Sequence, residues 1–95
     1  MINFVRTVTG LRFPDFIEGS KLPELVNEIA SALGTSPRNL TGSPLEVLAE
    51  FEGYPPQFAL WWDGFICELG CSGPCGVDFD ALSQRLHLSG LFRSA

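Results

Sequence analysis

With 95 residues, of which 45% are apolar and 12% aromatic, the chain has material for one hydrophobic core and not for two, and this richness excludes intrinsic disorder. Its net charge of −5 is unevenly placed: residues 39–84 carry seven acids and no Lys, Arg or His, while the rest carries six basic residues against four acids. Without clustered Lys and Arg there is nothing to neutralise phosphates, so no direct nucleic-acid ligand is expected, whereas a basic protein surface suits this charge.

Residues 1–9, rich in Ile, Val, Phe and Thr, read as a strand. Pro14 and the turn Glu18-Gly19-Ser20 separate it from an amphipathic helix over residues 22–33. There Leu22, Leu25, Val26, Ile29, Ala30 and Leu33 form one stripe at helical spacing, with Lys21, Glu24, Asn27, Glu28 and Ser31 facing water. Ser20 is placed to cap it, Pro23 is tolerated in its first turn and Gly34 can end it. A one-sided stripe needs a surface to lie on, and a sheet would supply it. Residues 35–44 read as a loop, marked by Ser36-Pro37 and Thr41-Gly42-Ser43-Pro44.

Residues 45–52 carry two competing signals. Alternation sets Leu45, Val47, Ala49 and Phe51 against Glu46, Leu48, Glu50 and Glu52, a strand pattern with Leu48 as its one violation. Ser43-Pro44-Leu45-Glu46 is also a helix capping box. The following segment favours the strand. After the turn Gly53-Tyr54-Pro55-Pro56, two apolar runs, 58–62 and 65–69, flank Asp63-Gly64, a two-residue hairpin signal. That turn would pair Trp62 with Phe65, Leu60 with Cys67 and Phe58 with Leu69, giving a wholly apolar face, and would set Trp61 opposite Ile66 and Ala59 opposite Glu68 on the other. A strand at 45–52 pairing Phe51 with Phe58, Ala49 with Leu60 and Val47 with Trp62 makes the dry faces coincide.

Residues 71–76 are a Gly-Pro loop. Asp78 then caps a second helix, in which Phe79, Leu82 and Leu86 form the buried stripe, Asp80 sits in the first turn, Arg85 and His87 lie near the end, and Gly90 is the stop. Leu91 and Phe92 dock the tail. The expected fold is a single α+β domain over residues 1–95, two-layered, with a mostly antiparallel sheet of three or four strands and two helices in the order β-α-β-β-β-α. No secretory leader and no apolar run of membrane-spanning length is visible, the longest run being the five residues of Phe58–Trp62. An odd count of three cysteines suits a reducing compartment, so a cytoplasmic location with no membrane partner is expected.

Three constellations compete for function. Cys71, Cys75 and His87, with Cys67, make a chemically complete zinc set, but the C-x3-C-x3-C spacing is not that of a zinc knuckle, and the hairpin register puts Cys67 among apolar side chains. Cys71 and Cys75 are expected as ordinary thiols, although a disulfide between them is sterically open to the same loop. Paired carboxylates, Glu50 with Glu52 and Asp78 with Asp80, could serve acid–base chemistry in a small pocketed enzyme or ligand-binding subunit. Capping explains the second pair and a solvated strand face the first, and no nucleophile motif accompanies His87, which argues against an enzyme. The third constellation is the mixed sheet face, where Trp61, Ile66 and Leu48 form an apolar strip ringed by Glu46, Glu50, Glu52 and Glu68. An aromatic centre with a charged rim is how binding hot spots are built. The expectation is therefore a non-enzymatic binding domain without a cofactor, engaging a basic protein partner or a second copy of itself through that face.

Overall fold

The computed structural model describes residues 1–15, 17–38, 47–55 and 57–94, and in the strand at Val47–Phe51 the side chains from Ala49 onward. The chain is α+β. In chain order, β1 (Ile2–Arg6) and β2 (Gly10–Phe13) lead to a 3-10 turn at Gly19–Lys21 and α1 (Leu22–Leu33). Then come β3 (Pro37–Arg38), β4 (Val47–Phe51), β5 (Phe58–Trp62), β6 (Cys67–Cys71), α2 (Phe79–Leu88) and β7 (Phe92–Ser94). The described strands form one mixed sheet of seven in the order β3-β4-β5-β6-β2-β1-β7, with β1 and β7 parallel and the other pairs antiparallel. The expected three or four strands therefore understate the sheet.

The strand expected at 1–9 is a hairpin with its turn at 7–9. Thr7 closes that turn: its N–H donates to the Gly10 carbonyl at 2.8 Å, and its hydroxyl accepts from the Gly10 N–H at 3.0 Å. Such hydroxyl-to-backbone bonds give the chain an alternative to continuing the ladder.

The helix read at 22–33 has those bounds, and all six stripe residues are buried. Its start differs from expectation. Ser20 lies in the 3-10 turn and Lys21 is the capping position, with no side-chain cap bond, so Pro23 rather than a hydroxyl cap marks the first turn. Its end is a Schellman motif: Gly34 has φ 69°, its N–H donates to Ser31 at 3.1 Å, and the Thr35 N–H reaches the Ala30 carbonyl at 2.9 Å. The Arg85 guanidinium of α2 donates to the Leu33 carbonyl at 3.2 Å, setting a cation at the negative end of α1 and joining the helices. Asp78 caps α2 as read, its Oδ1 accepting from the N–H groups of Asp80 and Ala81 at 3.0 and 3.2 Å.

Both described helices lie on one face of the sheet. Phe4, Leu11, Phe13, Ala49, Phe51, Phe58, Leu60, Cys67, Leu69 and Phe92 point to that side and form one cluster with the helical stripes. The segment 47–51 is a strand, and Ala49 pairs with Leu60 as expected, with a bulge before it that sets Val47 against Trp61 instead of Trp62.

The β5–β6 register is a second correction. Trp62 pairs with Cys67, Trp61 with Glu68, Leu60 with Leu69 and Phe58 with Cys71, two residues from the two-residue-loop expectation. The faces survive because a shift of two preserves pleat parity. The turn is Asp63 to Ile66: the Asp63 carboxylate accepts from the Phe65 and Ile66 N–H groups at 2.9 and 2.7 Å, and Gly64 has φ 99°. Phe65, expected on the dry face, is 89% exposed at the turn.

Candidate functional site

Opposite the helices, pairing carries two rows of side chains across the strands. One row runs Trp61, Glu68, Arg12, Val5, and the other Arg38, Glu50, Ala59, Gly70, Gly10. Trp61 is half-buried, and its indole N–H donates to the Gly70 carbonyl at 3.2 Å. The ring therefore reaches toward the Ala59–Gly70 pair, both members of which are buried on the side away from the two described helices.

Two glycines let the backbone of β2, β6 and the β1–β2 turn come close together beside it. A Cβ on Gly10 would collide with the Leu69 carbonyl oxygen and lie 2.9 Å from the Gly70 Cα; one on Gly70 would lie 2.9 Å from the Thr9 carbonyl oxygen. The strands approach here more closely than side chains would permit.

Glu68 is the best-held acid on the face. Its Oε1 accepts from Thr7 and Thr9 hydroxyls at 3.1 and 2.6 Å, and its Oε2 faces the Arg12 guanidinium at 3.4 Å. Around Trp61, Ile66, Glu68, Gly70, Thr9 and Cys71 lies an open depression of about 420 Å³, into which Asp63 also faces. Ile66 is 45% exposed.

Of the residues singled out in the sequence, the fold brings Trp61, Ile66 and Glu68 together. Glu50 is on the same face one strand further from them and pairs with Arg38 at 3.9 Å. Glu52 lies just past β4 and is exposed; its N–H donates to the Ser36 carbonyl at 2.9 Å and its carbonyl accepts from the Thr35 hydroxyl. It does not line the depression. Glu46 and the side chain of Leu48 fall outside the described residues, as does the capping box at 43–46.

Sequence reasoning missed Arg12 and Arg38, the two cations that partner the face's acids. Their signal was faint: Leu11-Arg12-Phe13 alternates, but over too few residues to stand out.

Cys71, Cys75 and His87 do not converge. Cys71 and Cys75, expected as ordinary thiols, are instead bridged, with Cα atoms 6.3 Å apart, and they flank the loop that leads into α2. His87 is exposed in the last turn of α2 and lines a separate depression with Phe4, Ser83 and Leu88. Among the described residues no three His, Cys, Asp or Glu side chains come together as a metal-binding group. Cys67 is buried in the core, where desolvation pushes its thiol up to about 12.

The Asp63 carboxyl is held below its ordinary 3.8, chiefly by the Ile66 N–H and then by that of Phe65. A carboxylate whose folded pKa is depressed stabilises the folded state above the unfolded pKa, and that contribution is lost as pH falls through the folded value. Asp63→Asn should therefore leave a flatter stability profile than the wild type below about pH 4. Urea midpoints across pH 2–5 measure this, and parallel profiles would show that the turn carboxylate contributes nothing.

Comparison with protein families, with curated proteins and with solved structures finds no match, so the functional argument rests on this geometry.

Proposed function

We propose that the protein is a small non-enzymatic binding domain of the cytoplasm that engages a basic protein surface, or a second copy of itself, through the Trp61 face. The observation that carries the reading is a half-exposed indole beside an exposed isoleucine in an open depression bordered by the carboxylates of Glu68 and Asp63. Trp combines apolar area with a π face that attracts guanidinium and ammonium groups, and such residues at the centre of a patch dominate binding energy.

The ion pairs to Arg12 and Arg38 refine the charge argument. They tie up Glu68 and Glu50, so affinity comes mainly from desolvating the aromatic patch, and charge contributes to steering and orientation. The indole hydrogen bond supports the same reading, because a ring tied to sheet backbone enters a complex with less entropy left to lose. Among the described residues no helix is long and apolar enough to cross a membrane.

Trp61→Ala is expected to weaken binding at least ~30-fold, about 2 kcal/mol, with the melting transition retained. Trp61→Phe, which keeps aromatic cover and loses the N–H bond to Gly70, should retain most of the affinity. The readouts are sedimentation equilibrium for self-association and titration with Arg/Lys-rich polypeptides at low and physiological salt. Wild-type affinity in a folded Trp61→Ala protein would remove the site from this face.

A further inference from the structure

The bridge between Cys71 and Cys75 is poorly explained as structural support. The two residues are four apart in sequence, so the closed loop is among the shortest a disulfide can make. The restriction a cross-link places on the unfolded chain grows with loop length, so this one restricts less than a bridge across distant chain would. Nor does it complete the core. The buried cluster closes without it, and both residues sit half-buried at the cluster's margin.

The pair is also accessible. An open depression of about 390 Å³ lies between the β1–β2 turn at Val8 and Thr9 and the loop carrying Gly73 and Pro74, and both cysteines line it. The remaining cysteine, Cys67, is sealed in the core and cannot compete for exchange.

We propose that Cys71 and Cys75 form a reversible dithiol–disulfide site that exchanges with a small-molecule thiol of the glutathione class entering this depression. The thiolate of the incoming molecule attacks one bridge sulfur. The protein S–S bond breaks, its electron pair leaves on the other cysteine sulfur, which takes up a proton, and a mixed disulfide forms. A second small thiolate attacks the small-molecule sulfur of that mixed disulfide, releasing the second cysteine as thiolate and then thiol. The protein gains two electrons and two protons, and two small thiols become one small disulfide. The site stands independently of the binding reading. Cys71 nonetheless lines the Trp61 depression as well, so the bridge fixes the start of a loop bordering both.

The test equilibrates the native protein across ratios of reduced to oxidised glutathione, then alkylates it and maps the labels by mass. Two labels are expected together, on Cys71 and Cys75, rising with the reduced fraction and lost again on reoxidation. The circular dichroism should stay constant and Cys67 should remain unlabelled until denaturant is added. Cys75→Ser should trap one glutathione on Cys71 when treated with the oxidised form. Labelling of the pair only in denaturant would overturn the proposal, as would full labelling at every ratio. The double variant Cys71→Ser/Cys75→Ser should melt no more than ~15 °C below the wild type, the shift that opening so short a loop accounts for; a larger drop would make the bridge structural and also overturn it.

Discussion

Alanine at Gly10 is expected to destabilise the domain by about 3 kcal/mol or more, the upper range for forcing atoms into a filled space. The added carbon would overlap the Leu69 carbonyl oxygen and approach the Gly70 Cα at 2.9 Å. Both obstacles are backbone, so no rotamer change relieves them. Relief requires β2 and β6 to move apart, and that pairing joins the N-terminal hairpin to the rest of the sheet. It would also shift the Gly70 carbonyl that holds the Trp61 indole. Gly70→Ala meets a single close atom, the Thr9 carbonyl oxygen in the β1–β2 turn, and should cost less. Urea unfolding of both variants decides the matter: a wild-type midpoint for Gly10→Ala would mean that the strands can part without penalty.

Phe58→Ala is expected to cost about 3–5 kcal/mol. Phe58 is fully buried and is the hub of an aromatic group, with ring centroids 5.9 Å from Phe51, 4.8 Å from Tyr54 and 6.0 Å from Phe79. Its removal opens a void between sheet and α2 and removes three ring contacts, each worth something beyond the area buried. Against a typical total of about 5–15 kcal/mol, the loss is a large fraction of stability. The check is a urea midpoint that falls while the slope stays constant, with Phe58→Leu intermediate between Ala and wild type. Equal midpoints for Phe58→Ala and wild type would show that the ring group is not part of the cooperative core.

Long, strongly patterned segments were legible in the sequence. The six-residue stripe of α1 and the Asp78 cap of α2 are local signals, and the structure keeps both. β4 was recognised as a strand because its dry face could be matched to that of β5, and Ala49 does meet Leu60. Three strands escaped notice: β2, β3 and β7 have four, two and three residues, too short for alternation to register. What defines them is pairing with distant chain, which no local pattern contains. The β5–β6 register was misjudged for a different reason. Asp63-Gly64 reads as a two-residue turn, whereas the Asp63 carboxylate caps a longer one through Phe65 and Ile66.

The misjudged charge of the site and the missed strands share one cause. The segment 39–84 is free of basic residues, so a face built from it alone is acidic. Arg12 and Arg38 lie outside that segment, on β2 and β3, and those strands bring them against Glu68 and Glu50. An incomplete sheet thus became an overstated charge. The indole at Trp61, whose placement depends only on the pleat parity of β5, lies on the mixed face as expected, and neither described helix covers that face.

The strand order also bears on how the chain reaches this state. β2 must wait for β6, its partner from Gly10 to Gly70, and β1 must wait for β7, its partner from Ile2 to Phe92. Until those later segments are made, the opening hairpin carries Phe4, Leu11 and Phe13 with no sheet beside it. During vectorial synthesis such a hairpin is a sticky, unpaired ribbon, vulnerable to association with neighbouring nascent chains. Closing such distant pairs also makes folding slower than that of a helical bundle of similar length. Arg6 and Arg12 are the only charged side chains between positions 2 and 13, so the unpaired ribbon has little else to keep it in water.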